Sequence, residues 1–124
     1  MLAAARYGTK NLDRAAKFYD VITGMLGAKR IMEMPNAVFY QGAEGGMFAI
    51  GLPFQGEATV GNGAQVGFAA PSRAVVNAVH AKALELGGRD EGAPGVRGPD
   101  PNGFYAAYFR DLDGNKIVVF RMGP

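Results

Sequence analysis

The sequence predicts an α+β chain made of two β-α-β-β-β modules, and three observations carry that reading. A strand-like run, an amphipathic helix and further strand-like runs occur in that order in each half of the chain. The punctuation repeats as well: Ala4 and Gln65, Asn11 and Ser72, and Gly27 and Gly88 lie the same distance apart. The chain then closes on a pronounced hairpin signal, in which Phe104–Arg110 and Lys116–Arg121 are aromatic and β-branched runs flanking Asp113-Gly114.

In the first module, Leu2–Tyr7 is a short run bounded by Gly8 and reads as a strand. Asn11 is placed as a helix N-cap, with Asp13 in the favourable first turn. Leu12, Ala15, Phe18, Tyr19, Ile22 and Leu26 recur at helical spacing before Gly27 stops the helix. Asp13 and Lys17, four apart, form a solvated pair on the opposite face. Lys29–Met34, Ala37–Gln41 and Met47–Pro53 follow as three strands separated by Pro35-Asn36 and a Gly-rich turn. Module one therefore occupies 1–53, a Gly-rich connector 54–63 and module two 64–122, all in a single domain of 124 residues.

In the second module Gln65–Ala69 is the opening strand, and Ser72 caps a helix whose stripe is Val75, Val76, Val79, Ala83 and Leu86. A strand at Arg89–Gly92 and a Pro/Gly loop at Ala93–Gly103 lead into the closing hairpin. If Asp111 and Asn115 close a three-residue loop with Gly114 left-handed, Tyr108 faces Val118 and Ala106 faces Phe120.

Composition narrows the function classes. Hydrophobic residues make up 48% and charged residues 19%, enough apolar material for one core. The net charge of +2 is scattered and forms no basic face, which argues against nucleic acid as a partner. The absence of cysteine removes disulfides, thiolate metal sites and a Cys nucleophile. No apolar run approaches the ~20 residues of a membrane span. Met1–Tyr7 lacks the basic-then-apolar order of a signal peptide, so a cytoplasmic protein with no membrane partner is expected.

The aromatic strand, the D-x-D-G-N turn at Asp111–Asn115 and the returning strand resemble the close of a vicinal oxygen chelate domain. That superfamily includes glyoxalase I, extradiol dioxygenases, fosfomycin-modifying enzymes and bleomycin-binding proteins. The resemblance implies a curved, cup-like, eight-stranded mixed sheet with the helices outside and the ligand in the concavity. It also implies a homodimer, since members with one pair of modules often complete their cups between two chains. Most enzymes of the superfamily hold a divalent metal through a residue of each module's first strand and acidic residues of the last strand. Matching the helix caps puts Ala4 and Gln65 at the early positions and Val118 at the last-strand position. Alanine and valine have no donor atom, and a neutral Gln65 alone does not hold a divalent cation. No metal and no other cofactor is therefore expected.

Other metal and nucleotide patterns fail on spacing. Asp111, Asp113 and Asn115 begin like an EF-hand loop, but Lys116 and Met122 occupy the positions that need Gly and Glu. Gly61, Gly63 and Gly67 precede a strand where a dinucleotide motif would follow one. The single histidine, His80, reads as a partly exposed residue of the outer helix.

What remains is the lining of the cup. The two-residue strand period turns Leu2, Arg6, Gly67, Lys116, Phe120, Ala106 and Tyr108 inward together with Ala4, Gln65 and Val118. Tyr108 is the best candidate for a ligand hydrogen bond, and it reads equally as a core tyrosine. Arg6 would meet an anion or reach water at the strand end, and Arg97 would act from the long loop as a lid or stay solvated. Tyr40 is a further candidate for the first module's half of the cup. The expected ligand-binding set is Tyr108, Arg6, Gln65, Arg97 and Phe120.

The expected function is binding of a small organic molecule in an apolar cup without a metal, by sequestration or with chemistry from Tyr108 or Arg6. The alternative is a metal-dependent glyoxalase-like lyase or transferase with an atypical ligand set. A third reading, a purely structural dimer module, would fill the cup with its own side chains.

Overall fold

The computed structural model describes residues 1–124. Module one consists of β1 (Ala4–Gly8), α1 (Leu12–Met25), β2 (Lys29–Met34), β3 (Ala37–Gln41) and β4 (Met47–Gly51). Module two consists of β5 (Val66–Ala69), α2 (Arg73–Glu85), β6 (Arg89–Arg97), β7 (Phe104–Arg110) and β8 (Lys116–Met122). Each module makes one four-stranded sheet, in the orders β1-β4-β3-β2 and β5-β8-β7-β6. β1 runs parallel to β4 and β5 to β8, while every other pair is antiparallel. The two modules thus repeat one topology. The eight strands are divided between two sheets with no strand pairing across them.

The helix starts fall where side chains satisfy the first backbone N–H groups. Asn11 Oδ1 accepts from Arg14 N at 3.1 Å, and Ser72 Oγ accepts from Val75 N at 3.2 Å. The stops are Gly27, φ 81°, and Gly87, φ 102°, so in module two the left-handed residue is Gly87 and not Gly88. α2 is one residue shorter than α1, which shifts the repeat by one position at this point. Gly88 is needed for close packing instead, since a Cβ there would stand 2.7 Å from Arg110 O. The Asp13–Lys17 pair does not form; the ion pair from this end of α1 joins Arg14 to Asp113 at 3.6 Å.

The closing hairpin has the expected register, with Tyr108 opposite Val118 and Ala106 opposite Phe120. Asp111 N donates to Asn115 O at 2.9 Å and Gly114 takes φ 93°. β6 departs from expectation: it runs to Arg97, so Ala93–Arg97 belongs to a strand and only residues 98–103 form the loop. β6 is an edge strand with irregular pairing between Asp90 and Gly92 and again between Gly92 and Gly95. An edge strand with bulges accommodates Pro94, because its missing N–H breaks no ladder bond. β1 begins later than expected, leaving Leu2 outside the strand and 81% exposed.

α1 packs on β2, β3 and β4, α2 packs on β6, β7 and β8, and the helices touch one another. The core joins both modules. Tyr19 of α1 stacks on Phe48 of β4 with centroids 4.7 Å apart, Phe48 meets Phe68 of β5 at 5.1 Å, and Phe18 reaches Phe109 of β7 at 6.3 Å. Such pairs contribute about 0.5–1.5 kcal/mol each beyond the apolar area they bury. Tyr40 lies in this core on the helix side of β3, where its hydroxyl donates to Asp20 Oδ1 at 2.8 Å. It therefore does not line the concave face. His80 is buried too, 6% exposed, with Nε2 3.0 Å from Asp90 Oδ1 on β6. Its position on α2 is the expected one, but it faces the sheet and not solvent.

Polar contacts fasten the modules where the D-x-D-G-N turn meets β1 and α1. Asp111 Oδ2 accepts from the Tyr19 hydroxyl at 2.6 Å and from Asn115 Nδ2 at 2.9 Å, while Oδ1 accepts from the backbone N–H groups of Asp113 and Asn115. Asn115 Nδ2 also donates to Gly8 O at 2.9 Å. Thr9 Oγ1 donates to Asp113 Oδ2 at 2.5 Å, and the Tyr7 hydroxyl to Lys116 O at 2.7 Å. The carboxylates that resemble a calcium loop are thus spent on hydrogen bonds within the chain.

Asp111→Ala removes the acceptor for four donors and is expected to lower stability by about 3 kcal/mol, measured by urea unfolding. A loss under about 1 kcal/mol would show that the turn does not hold the modules together. Gly114→Ala meets both the positive φ and Val60 Cγ2, which would lie 3.1 Å from the new Cβ. It is expected to destabilise by about 1–2 kcal/mol.

Burial pushes the Asp111 carboxyl above its ordinary 3.8, against the pull of the Tyr19 and Asn115 donors. The native chain then binds this proton more tightly than the unfolded chain does. The resulting stability is fully present below pH 3.8 and is lost as pH rises through the native value. Asp111→Asn abolishes that titration. The stability advantage of wild type over this variant should shrink in urea melts as pH rises from 3.8 through the native value, and a widening advantage would refute the assignment.

Candidate functional site

Each sheet has one face against the helices and one open face. On the open face of the first sheet, Arg6 lies beside Ala49 and Ala4 beside Met47, and Phe39 comes from the next strand. On that of the second, Gly67 lies beside Val118, Val118 opposite Tyr108, and Phe120 opposite Ala106. The alternate residues Phe109, Ile117 and Val119 are fully buried beneath the helices. The strand period therefore separates a helix-facing set from an open-face set on the same strands.

A hollow of about 140 Å³ on the first sheet is lined by Ala4, Arg6, Phe39, Met47 and Ala49 among others. It is almost wholly apolar except for Arg6, which is exposed and donates from Nη2 to Leu52 O at 2.9 Å. A second, more polar hollow of about 380 Å³ lies between the connector residues Val60–Gln65 and the side chains of Arg110 and Lys116. Gln65 is exposed on its rim, just ahead of β5. Phe120 is half-buried, with its ring 5.5 Å from that of Phe104. Gly67 leaves room for it, since a Cβ there would be 3.3 Å from Phe120 Cε1.

Tyr108 stands out among the five tyrosines. The hydroxyls of Tyr7, Tyr19, Tyr40 and Tyr105 all donate within the chain, to Lys116 O, Asp111, Ala16 O with Asp20, and Asn77. Tyr108 alone has no such partner, and it faces the open side of the second sheet. Burial and the neighbouring Asp111 carboxylate push the Tyr19 hydroxyl well above the ordinary phenol range, so it serves as a fixed donor.

Arg97 is on β6 and not in a loop, which corrects the expectation of a lid residue. Its guanidinium folds back along its own strand, donating to Gly95 O at 2.9 Å and Ala93 O at 2.7 Å. It then approaches the Tyr108 ring, 5.6 Å from the centroid, while Lys116 Nζ reaches the same ring at 5.3 Å. Sequence reasoning placed Lys116 inward but did not single it out. Tyr108, Arg97 and Lys116 are thus brought together, with Phe120 on the same sheet face, while Arg6 stands on the other sheet.

Two sheets of one topology, each with a helix behind it and a free face in front, define a paired β-α-β-β-β protein. A profile of the Glyoxalase/Bleomycin resistance protein/Dioxygenase superfamily matches residues 2–119. A crystal structure of a glyoxalase/bleomycin resistance protein from Albidiferax ferrireducens T118 is similar at 36% identity and a TM-score of 0.88, covering 98% of both chains. The chain belongs to this superfamily. The fold is shared at lower identity by a glyoxalase-related enzyme from Fulvimarina pelagi (19%, TM-score 0.75, 98% and 87% of the two chains). It is shared also by a lactoylglutathione lyase from Agrobacterium tumefaciens (22%, TM-score 0.68, 98% and 92%). No curated protein matches the chain.

The superfamily's metal can be tested against the donors present. The register that sets Val118 beside Gly67 sets Ala49 beside Arg6, so the corresponding positions of the two modules are Ala4, Ala49, Gln65 and Val118. One neutral amide oxygen is the whole donor set. Nowhere in the chain do three His, Cys, Asp or Glu side chains converge. These residues do not fit a divalent cation.

Because its hydroxyl has no partner within the chain, Tyr108→Phe should leave the unfolding free energy within about 0.5 kcal/mol of wild type in urea. Phe109→Ala, one residue along on the buried face, should cost about 3–5 kcal/mol. Comparable losses at both positions would place Tyr108 in the core.

Proposed function

We propose that this member of the superfamily binds a small organic molecule on its concave sheet faces without a metal ion, and that two chains together complete each cup. The observation that carries the reading is Tyr108, a tyrosine with an uncommitted hydroxyl on a face where Val118, Ala106 and Phe120 supply apolar surface and Arg97 and Lys116 stand beside the ring. A phenol so placed can donate or accept toward a bound molecule, and the apolar floor supplies contact area.

The exposed apolar edges and the small apolar hollow of the first sheet support the dimer. The apolar hollow on the first sheet, about 140 Å³, is below the roughly 300–1,000 Å³ of enclosed ligand sites. Met32, 50% exposed, and Met34, 46% exposed, lie on β2 of the same sheet, and Met122, 63% exposed, lies on β8 of the other. A second chain facing these residues would bury them and enclose the ligand. The role that fits is capture of the molecule, with any chemistry confined to Tyr108 and the nearby cations.

Native mass spectrometry of protein purified without chelator, together with elemental analysis, tests this reading. The expected result is a dimer retaining a small organic mass, with zinc, nickel and manganese far below one per chain. Stoichiometric metal would restore the metal-dependent lyase. A monomer that neither retains nor binds any small molecule would overturn the proposal.

A further inference from the structure

The second sheet's face has a charge pattern that narrows the ligand class, and this step rests on the small-molecule reading above. Near Tyr108 stand three cations, Arg97, Arg110 and Lys116. Arg110 is neutralised, because its Nε lies 2.6 Å from Glu91 Oε1. Neither Arg97 nor Lys116 has a carboxylate within ion-pair distance. The face therefore carries two uncompensated positive charges beside one aromatic ring, and the Glu91 carboxylate is already paired with Arg110.

The backbone beneath Arg97 is shaped for this. A Cβ at Gly95 would lie 3.1 Å from Arg97 Nη1, and one at Gly92 would lie 3.3 Å from Nη2 and 3.0 Å from Tyr108 Cδ1. Two strand glycines thus leave space for the guanidinium to lie along β6 and reach the ring. Two of its five N–H donors are anchored by Gly95 O and Ala93 O, which fixes the group before any ligand arrives. A held guanidinium with free donors, an unpaired ammonium beside the same ring and an unpartnered phenol are three recognition elements for one negatively charged group.

We propose that the ligand is an organic anion whose carboxylate or phosphate binds between Arg97 and Lys116 above Tyr108, with its apolar part on Phe120 and Val118. Benzoate, phenyl phosphate, inorganic phosphate and the neutral benzyl alcohol are the probes, titrated calorimetrically into the purified protein. Benzoate or phenyl phosphate should bind at least about tenfold more tightly than benzyl alcohol, and which of the two is tighter identifies the anionic group. Inorganic phosphate should bind more weakly than phenyl phosphate, because it lacks the apolar part. Raising NaCl from 20 mM to about 300 mM should weaken the anions several-fold and leave benzyl alcohol unchanged. Arg97→Met and Lys116→Met should each weaken the preferred anion about five- to tenfold without affecting benzyl alcohol. Gly95→Ala should weaken it likewise by displacing the guanidinium, which keeps the test valid if Arg97→Met folds poorly. Benzyl alcohol binding as well as the anions, with no salt dependence, would overturn the anion assignment and leave the small-molecule site standing. Failure of every probe, neutral and charged, would overturn both.

Discussion

At the tip of the last hairpin, the carboxylate of Asp111 collects a phenol from α1, an amide from Asn115 and two backbone N–H groups of its own turn. The same turn reaches back to β1 through Asn115 and Gly8, and to the start of α1 through Asp113 with Thr9 and Lys10. These contacts matter because the sheets share no strand pairing. Hydrophobic contact between Tyr19, Phe48 and Phe68 supplies most of the attraction between modules, but it is non-directional. The Asp111 cluster is directional, and a buried charge that loses its donors is heavily penalised. Apolar packing holds the modules together; this cluster sets how they meet.

That division also explains what the sequence disclosed. Local chemistry was readable: Asn11 and Ser72 had to cap, and Asp113-Gly114 had to turn, because each acts on backbone within four residues. The hairpin register followed from the turn alone, and with it the shared face of Tyr108, Val118, Ala106 and Phe120. The role of the aspartates was not readable, since Tyr19 and Thr9 lie far away in sequence and no local pattern encodes such partners. β6 was hidden for a different reason. Gly92, Ala93, Pro94 and Gly95 have the composition of a loop, and only an edge position with tolerated bulges makes a strand of them. Ending that strand at Gly92 placed Arg97 in a loop and left the convergence of Arg97, Lys116 and Tyr108 out of sight.

His80 belongs to the same account. Its imidazole meets Asp90 Oδ1, which also accepts the Gly92 N–H at 2.9 Å. The backbone bond and, after it, the histidine hold the Asp90 carboxyl below the usual carboxylate range. Gly92 sits at the irregularity of β6, where a backbone N–H needs a partner outside the ladder. The Asp90 side chain supplies it, and His80 orients Asp90 from the helix side. The only histidine therefore acts on the open face at second hand, by fixing the strand on which Arg97 lies.

A β-strand buried on one side can change its other side with little effect on the core, and β7 shows how far that separation goes. Ala107 and Phe109 are fully buried under α2, whereas Tyr108 between them touches only open-face groups. Ala4, Ala49 and Val118, the corresponding positions of the two modules that offer no donor, lie on these open faces and not beneath the helices. Apolar residues there can replace donors without disturbing the buried layer, since the fold rests on the opposite face and on the Asp111 cluster. The same logic lets Arg97 and Lys116 remain unpaired. A cation buried among Phe18 and Phe109 would be prohibitive, but on the open side of the sheet both are only half-buried and keep contact with solvent. Their charge therefore stands at small expense to folding, and the glycines at 92 and 95 leave room for the guanidinium along the strand.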